Sequence, residues 1–318
     1  RSDGLELVLK VQYPGVADAV DSDLNAVAHL LKVARLVSFG PEFNDWLEEV
    51  REMMHREVDY RLEARTTEKF RQMLSHDARF VVPRVLPEYS TDHIIASTYE
   101  HGHSVSSVAV RELPLERRSA LGQAALELFF RELFEWGEIQ TDPNFGNYRI
   151  RIAGEQGGDS ETDRIVLLDF GAVQSYSSDF LQPVIQMIRA SYEEDLEQVV
   201  EGGIKLRFMS RDWPAEGLDK FGKVCMSVLE PLAKDRSQWP DYAVNSHGQY
   251  RWKQSDLPSR VAKQAARSAI SRYFRVPPKE FVFLNRKLIG VYTFIAVLHS
   301  EFNGEDLLRK YLYGDAGV

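Results

Sequence analysis

The chain has 318 residues, enough for one large two-lobed domain or two ordinary ones, and its 44% hydrophobic and 27% charged residues are ordinary values for a protein with a sizeable core. A formal charge of −9 argues against general nucleic-acid binding, which needs a basic balance. A single cysteine, Cys225, excludes an intramolecular disulfide and a cysteine-rich zinc site.

Asp3-Gly4 between strand-like runs reads as a hairpin turn, followed by a strand over 5–11. Only two residues precede that turn, so the natural protein is expected to extend upstream. Pro14-Gly15 ends the strand before a helix over 21–37, with Leu24, Val27, Leu30, Leu31 and Ala34 on its apolar side. A longer helix follows Pro41 and ends near Leu74, carrying Trp46, Val50, Met53, Met54, Val58 and Leu62 at helical spacing. It also carries three acids in one short segment, Glu57, Asp59 and Glu63. In a kinase-like lobe a strand lysine pairs with a helix glutamate, which aims the ammonium at the nucleotide's phosphates. Lys10 and Glu63 are the natural candidates. Taken singly, a solvated strand lysine and acids paired along the helix with Arg61 and Arg65 would explain them as well.

Segments 79–85 and 93–99 read as strands separated by a turn at Pro87. His101 and His103 follow, with no further ligand nearby to complete a metal set. From Leu115 to Trp136 a long helix buries Leu121, Ala125, Leu128, Phe129, Leu133 and Trp136.

That helix delivers the chain to its central stretch, residues 140–171. Asp142 and Asn147 repeat the D-x-x-x-x-N spacing of phosphotransferase catalytic loops, and Asp169-Phe170-Gly171 at the end of an apolar strand repeats their metal-binding turn. A phosphoryl group in flight carries diffuse negative charge, so such a site needs Mg2+, and hard magnesium takes oxygen ligands. Asp169 and Asn147 are the expected metal ligands. Asp142 is expected to orient the attacking hydroxyl or water and accept its proton. A flexible polar turn, 154–160, joins two strands that bring Asp169 back beside Asn147.

After Val173 the pattern is helical to the end, broken at Pro214, at Trp239-Pro240 and at Pro277-Pro278. Cys225 shares a helical period with Phe221, Val228 and Leu232, which suits a packed core thiol. The apolar run 288–298 is too short to span a bilayer, which takes roughly 20 residues. Segment 251–287 is rich in bases, Arg251, Lys253, Arg260, Lys263, Arg267, Arg272, Arg275, Lys279, Arg286 and Lys287 facing only Asp256 and Glu280. A solvated helix face would account for it; contact with anionic lipid or a phosphorylated ligand is the alternative.

Segments 10–16, 57–64, 140–147, 168–171 and 283–288, in that order and over nearly the whole chain, resemble the UbiB family of atypical protein-kinase-like proteins, linked to ubiquinone biosynthesis in bacteria and mitochondria. The resemblance implies an α+β, protein-kinase-like two-lobed fold, with a small partial β-sheet lobe over 1–101 and a large helical lobe over 102–318. It implies that Lys10 pairs the phosphates of ATP with Glu63 as its helix partner, that Glu57 and Asp59 form the family's E-x-D pair near the nucleotide, that Asp142 is the catalytic aspartate, and that Asn147 and Asp169 hold Mg2+. The family's K-x-G-Q extension and alanine-rich phosphate loop do not occur in this sequence, and Thr98 stands where relatives often place an acid.

Three functions compete. The first is an ATP- and magnesium-dependent kinase or ATPase supporting ubiquinone or a related isoprenoid-lipid pathway. The second is a pseudokinase scaffold that binds nucleotide, lipid or partner proteins without phosphoryl transfer, its lipid or anionic-membrane contact running through 251–287. The third is a small-molecule phosphotransferase resembling the aminoglycoside and choline kinases, against which stand the segments 57–64 and 10–16. A bacterial cytosol or inner-membrane surface and a mitochondrial matrix are both compatible with this chain.

Overall fold

The computed structural model describes residues 4–33, 47–48, 50–51, 54–56, 58–155, 161–207, 209–269 and 278–314. Strand β1 (Leu7–Val11) is followed, past Pro14-Gly15, by helix α1 (Val16–Val33), which starts earlier than its apolar spacing predicts. The first strand of the expected hairpin, the end of the helix predicted to reach residue 37, Trp46, Met53 and Glu57 lie outside the described residues.

The uninterrupted helix expected from Pro41 to Leu74 is broken. Helix α2 (Tyr60–Met73) begins anew because Asp59 leaves helical geometry at φ −83°, ψ 84° and its side chain accepts the Leu62 N–H at 2.8 Å. An aspartate at this cap satisfies one of the donors a helix start leaves open and suits the positive end of its dipole. Within α2 the stripe Tyr60, Glu63, Thr67 and Phe70 is buried, so Glu63 faces inward by helical spacing alone.

Strand β2 (Phe80–Val81) is shorter than the predicted 79–85, since Pro83 has no N–H for a ladder. Strand β3 (Ile94–Thr98) pairs antiparallel with β1, Lys10 opposite Ile95. After the short α3 (Val108–Arg111), helix α4 (Leu115–Phe130) runs on as a π-helical turn, Arg131–Trp136, until Gly137 stops it in the left-handed region at φ 64°. The predicted span 115–136 is therefore helical throughout, with a wider last turn than a uniform α-helix has.

Strands β4 (Glu138–Gln140), β5 (Tyr148–Arg151), β6 (Arg164–Leu167) and β7 (Val173–Ser175) follow. β5 and β6 form the expected antiparallel hairpin, β2 joins β6 in parallel, and β4 pairs with β7. Helices α5 (Ser178–Tyr192), α6 (Leu196–Lys205), α7 (Ala215–Val228), α8 (Leu257–Ala269), α9 (Lys279–Val297) and α10 (Glu305–Tyr313) complete the chain. Cys225 packs against the core of these helices, and burial pushes its thiol up to about 12, as suits a packed thiol.

Two apolar clusters meet across α4 and α9. Phe130, Leu133, Ile139, Tyr250, Trp252, Ile295 and Phe302 belong to one; Phe70, Leu121, Ile150, Ile165, Phe170 and Phe294 belong to the other. Helices that feed both clusters are apolar on more than one face and sit at the centre. Each fully buried Leu, Ile or Phe contributes about 1.5–3 kcal/mol. Residues 140–147 emerge between these two clusters and are held there.

Candidate active site

Two strand pairings aim the central loop. Gln140 lies opposite Val173, and the Thr141 N–H and hydroxyl both donate to the Ala172 carbonyl, at 3.1 and 2.8 Å. On the other side Tyr148 lies opposite Leu167, and Leu168 N donates to the Asn147 carbonyl at 2.9 Å. Asp142 and Asn147 are thus strung between two clamps whose far halves flank Asp169. Between them Asn144 accepts the Gly146 N–H at 2.9 Å, an Asx-type turn that folds the loop back on itself.

Lys10, Glu63 and Asp169 converge from three separate parts of the chain. The Lys10 ammonium is 2.7 and 2.8 Å from the two Glu63 oxygens and 3.2 Å from Asp169 Oδ2. Gln12 positions the strand over the helix start, its amide donating to the Val58 carbonyl at 2.7 Å. Phe170 fixes the other side, its ring 4.8 Å from that of Phe70 on α2. Burial by itself would lower the Lys10 pKa, but the facing carboxylates of Glu63 and Asp169 hold it above the ordinary lysine value. Burial and the Asp169 charge push the Glu63 carboxyl up, against the pull of Lys10.

Asp142 has both oxygens engaged. Asn147 Nδ2 donates to Oδ2 at 2.8 Å, and Arg286 Nη2 donates to Oδ1 at 3.2 Å. Arg286 comes from α9, which touches the loop directly: a Cβ on Gly290 would lie 2.2 Å from the Pro143 Cβ, so only glycine lets helix and loop approach this closely. Beside Arg286, Lys287 turns the opposite way and is buried, its ammonium 2.8 Å from Glu132 Oε2 in the π-helical turn. Burial opposes the Lys287 charge, yet Glu132 keeps its pKa raised. Sequence reasoning placed Arg286 and Lys287 in the basic stretch without foreseeing the Asp142 and Glu132 partners or the Gly290 contact. A charged residue amid the apolar run around Glu132, and Arg286, Lys287 and Gly290 at i, i+1 and i+4 of one helix, were the available signals.

The donor set suits Mg2+. Asp169 Oδ1 accepts the Gly171 N–H at 2.9 Å, which orients its carboxylate, and Asn147 gives its amide N–H to Asp142, which leaves the amide oxygen for a cation. Among the described residues no three His, Cys, Asp or Glu gather as a closed metal cage. One carboxylate and one amide oxygen match magnesium, which keeps waters and takes its remaining ligands from phosphates.

Other expected residues fall elsewhere. Glu57 lies outside the described residues, and Asp59 is occupied as the α2 cap. His101 and His103 face separate acids, Glu6 at 3.1 Å and Glu155 at 2.6 Å. Among the described residues of the basic stretch 251–287, four bases have partners within the fold: Arg251 faces Glu301, Arg260 is forked onto Glu230, Arg286 reaches Asp142, and Lys287 is buried. Arg286 and Lys287, successive on α9, point apart by helical twist.

The family model of the ABC1 atypical kinase-like domain matches residues 1–202. Over 321 residues the chain is 30% identical to the probable serine/threonine-protein kinase abkA of Dictyostelium discoideum, covering 97% of this chain and 54% of that protein. It is 28% identical to the mitochondrial atypical kinase coq-8 of Caenorhabditis elegans, over 99% of this chain and 40% of that one, and 27% identical to the mitochondrial atypical kinase COQ8 of Saccharomyces cerevisiae, over 96% and 57%. The chain spans about half the length of these curated relatives. The solved complex of Rv3197 with erythromycin from Mycobacterium tuberculosis superposes with a TM-score of 0.66 at 21% identity, covering 100% of this chain and 74% of that one, and shares its fold. With this fold, this order of motifs and these relatives, the chain belongs to the ABC1 atypical kinase-like family, the UbiB family, and its fold is the α+β, kinase-like one.

Proposed function

We propose that the chain is the core of an ATP- and magnesium-dependent kinase or ATPase that supports ubiquinone or related isoprenoid-lipid metabolism. The observation that carries this reading is the convergence of Lys10, Glu63 and Asp169, within 3.2 Å of one ammonium, beside the Asp142 and Asn147 pair. Residues 1–101 act as the small lobe and 102–318 as the large one. Glu63 holds Lys10 in place, and Lys10 binds nucleotide phosphate oxygens. Asn147 and Asp169 hold magnesium, which offsets the negative charge of the transferred group. Asp142 takes the proton of the attacking hydroxyl or water. If Glu57 and Asp59 act near the nucleotide, Asp59 does so from the head of α2. In a eukaryote the site of action is the mitochondrion, as the names of the relatives suggest, with the matrix as its compartment in this proposal; in a bacterium it is the cytoplasm or the inner-membrane surface. Among the described residues no helix is long and apolar enough to cross a membrane, and contact with an anionic membrane or isoprenoid lipid through 251–287 remains part of the proposal.

One observation favours the pseudokinase scaffold instead: Asp142, the acceptor-side carboxylate, already has both oxygens bonded. Thermal unfolding of the full-length protein separates the two. MgATP raises the midpoint under both readings, and the gain is about 2.7 kcal/mol at a hundred dissociation constants. Asp169→Asn is expected to abolish the magnesium-dependent part. Under the enzyme reading Asp142→Asn keeps the MgATP shift and loses ATP turnover. No turnover in the wild type despite a MgATP shift moves the assignment to the scaffold, and no shift at all overturns nucleotide binding.

A further inference from the structure

Arg286 and Lys287 are neighbours on α9 with opposite fates. The Lys287 side chain is 4% exposed and answers Glu132, whereas that of Arg286 is 55% exposed and reaches the front of the loop at Asp142. The Gly290 contact with Pro143, one turn further on, sets how far α9 stands from the loop. Packing thus fixes α9 beside the loop, while the exposed Arg286 side chain keeps the freedom to turn from Asp142 towards a ligand in front of the loop.

The bond it makes is the longer and more exposed of the two on Asp142. Asn147 belongs to the same loop, its N–H bonded to the Asn144 carbonyl at 3.0 Å, and it holds Oδ2 at 2.8 Å; Arg286 holds Oδ1 at 3.2 Å from solvent. A carboxylate that is to receive a proton needs one oxygen open, and Oδ1 is the one that can be released. Among the described residues Asp142 is the hydrogen-bond partner of Arg286, so most of the five donors of its planar fork remain for an anion in front of the loop. Charge points the same way. Lys10 is committed to Glu63 and Asp169 on the nucleotide side, and a phosphoryl group approaching Asp142 meets a like charge unless a cation lies between them.

Resting on the phosphoryl-transfer reading above, we propose that Arg286 is a catalytic arginine supplied in cis by the C-terminal helix. It is held by Asp142 at Oδ1 and moves onto the oxygens of the transferring phosphoryl group when nucleotide binds. In the step itself the bond from the γ-phosphorus to the β,γ-bridging oxygen breaks, and its electron pair leaves with ADP. The bond from phosphorus to the acceptor oxygen forms, and the acceptor's proton goes to the Asp142 Oδ1 that Arg286 has vacated. Arg286 gives hydrogen bonds only and is unchanged at the end. The chemistry it recognises is a planar phosphoryl group whose negative charge is spread over three equatorial oxygens, for which a bidentate guanidinium is better matched than an ammonium.

The test uses thermal unfolding of the full-length protein with MgADP alone and with MgADP plus aluminium fluoride, a mimic of the phosphoryl group in flight. Wild type is expected to gain a midpoint shift with MgADP and a further shift with the fluoride complex. Arg286→Gln keeps the first and loses the second, Arg286→Lys keeps the first and part of the second, and ATP turnover of Arg286→Gln falls about 10³-fold, at the lower end for a catalytic arginine. Arg286→Gln with an undiminished second shift overturns the proposal, and a lower ligand-free midpoint alongside it marks Arg286 as a clamp between helix and loop. A wild type that shifts with MgADP but gains nothing from the fluoride complex also overturns it, while leaving nucleotide binding intact. A wild type with no MgADP shift removes the phosphotransferase reading together with this one.

Discussion

Lys287 and Glu132 form an ion pair 2.8 Å long between Nζ and Oε2, with side chains 4% and 2% exposed, and so bolt the C-terminal helix to the turn that leads into the candidate catalytic loop. Breaking a buried pair from one side leaves the other charge stranded, which costs about 3–5 kcal/mol. Lys287→Met is therefore expected to lower stability by that order in a urea titration. Lys287→Met with Glu132→Leu removes both charges, and most of the loss should be recovered. Equal losses in the single and double variants would mean that packing, and not charge, holds the two elements together.

Removing Lys10 exposes a pH dependence whose sign follows from Glu63. Burial and Asp169 already raise the folded pKa of Glu63 above its ordinary value, and without the ammonium nothing on the described residues around it offsets this. A carboxyl with a raised folded pKa contributes most below its unfolded value near 4.5, and that contribution is lost as pH rises through the folded pKa. Lys10→Met should consequently be more destabilised, relative to wild type, at pH 8 than at pH 5. Adding Glu63→Gln should flatten the difference. Chemical denaturation of the three proteins at both pH values checks it.

Gly290 is predicted to be intolerant of any side chain. The Cβ of Gly290→Ala would sit 2.2 Å from the Pro143 Cβ, so helix or loop must move. Overpacking of this kind costs about 1–3 kcal/mol, and displacement of the loop adds a functional loss. The expected result is a lower melting midpoint and a larger fall in ATP turnover than in MgATP affinity. An alanine variant with wild-type turnover would show that the contact does not position Asp142.

Asp77 provides an acid-sensitive anchor away from the site. Burial works against its charge, but Arg79 binds both its oxygens, at 2.9 and 2.8 Å, and Arg131 adds a third contact at 3.1 Å, which holds its carboxyl below the ordinary aspartate value. A carboxyl with a depressed folded pKa contributes stability above its unfolded pKa of 3.8 and loses it as pH falls through the folded value. Asp77→Asn should cost about 2 kcal/mol at pH 7, since these are hydrogen bonds to a charged group, and the cost should shrink below pH 3.8. Melting midpoints of wild type and variant that stay the same distance apart from pH 7 down to pH 3 would contradict this.

The spacing of the candidate catalytic residues was legible in the chain because it is local. Asp142 and Asn147 are five residues apart in one loop, and Asp169-Phe170-Gly171 ends an apolar strand, so turn chemistry and the hairpin between them suffice to bring the set together. Amphipathic spacing likewise located most helices, and the Lys10 and Glu63 pairing followed from motif order. What the order of residues could not decide is direction. Asp59 reads as one more helix acid until the backbone turns at Val58 and makes it a cap. Arg286 and Lys287 read as two surface bases in a basic stretch, yet successive helix positions point about 100° apart, and only the neighbours each one meets settle its role. The tertiary structure set a buried carboxylate against one and the candidate catalytic aspartate against the other. Those partners lie about 150 positions away in sequence, where no periodicity carries information.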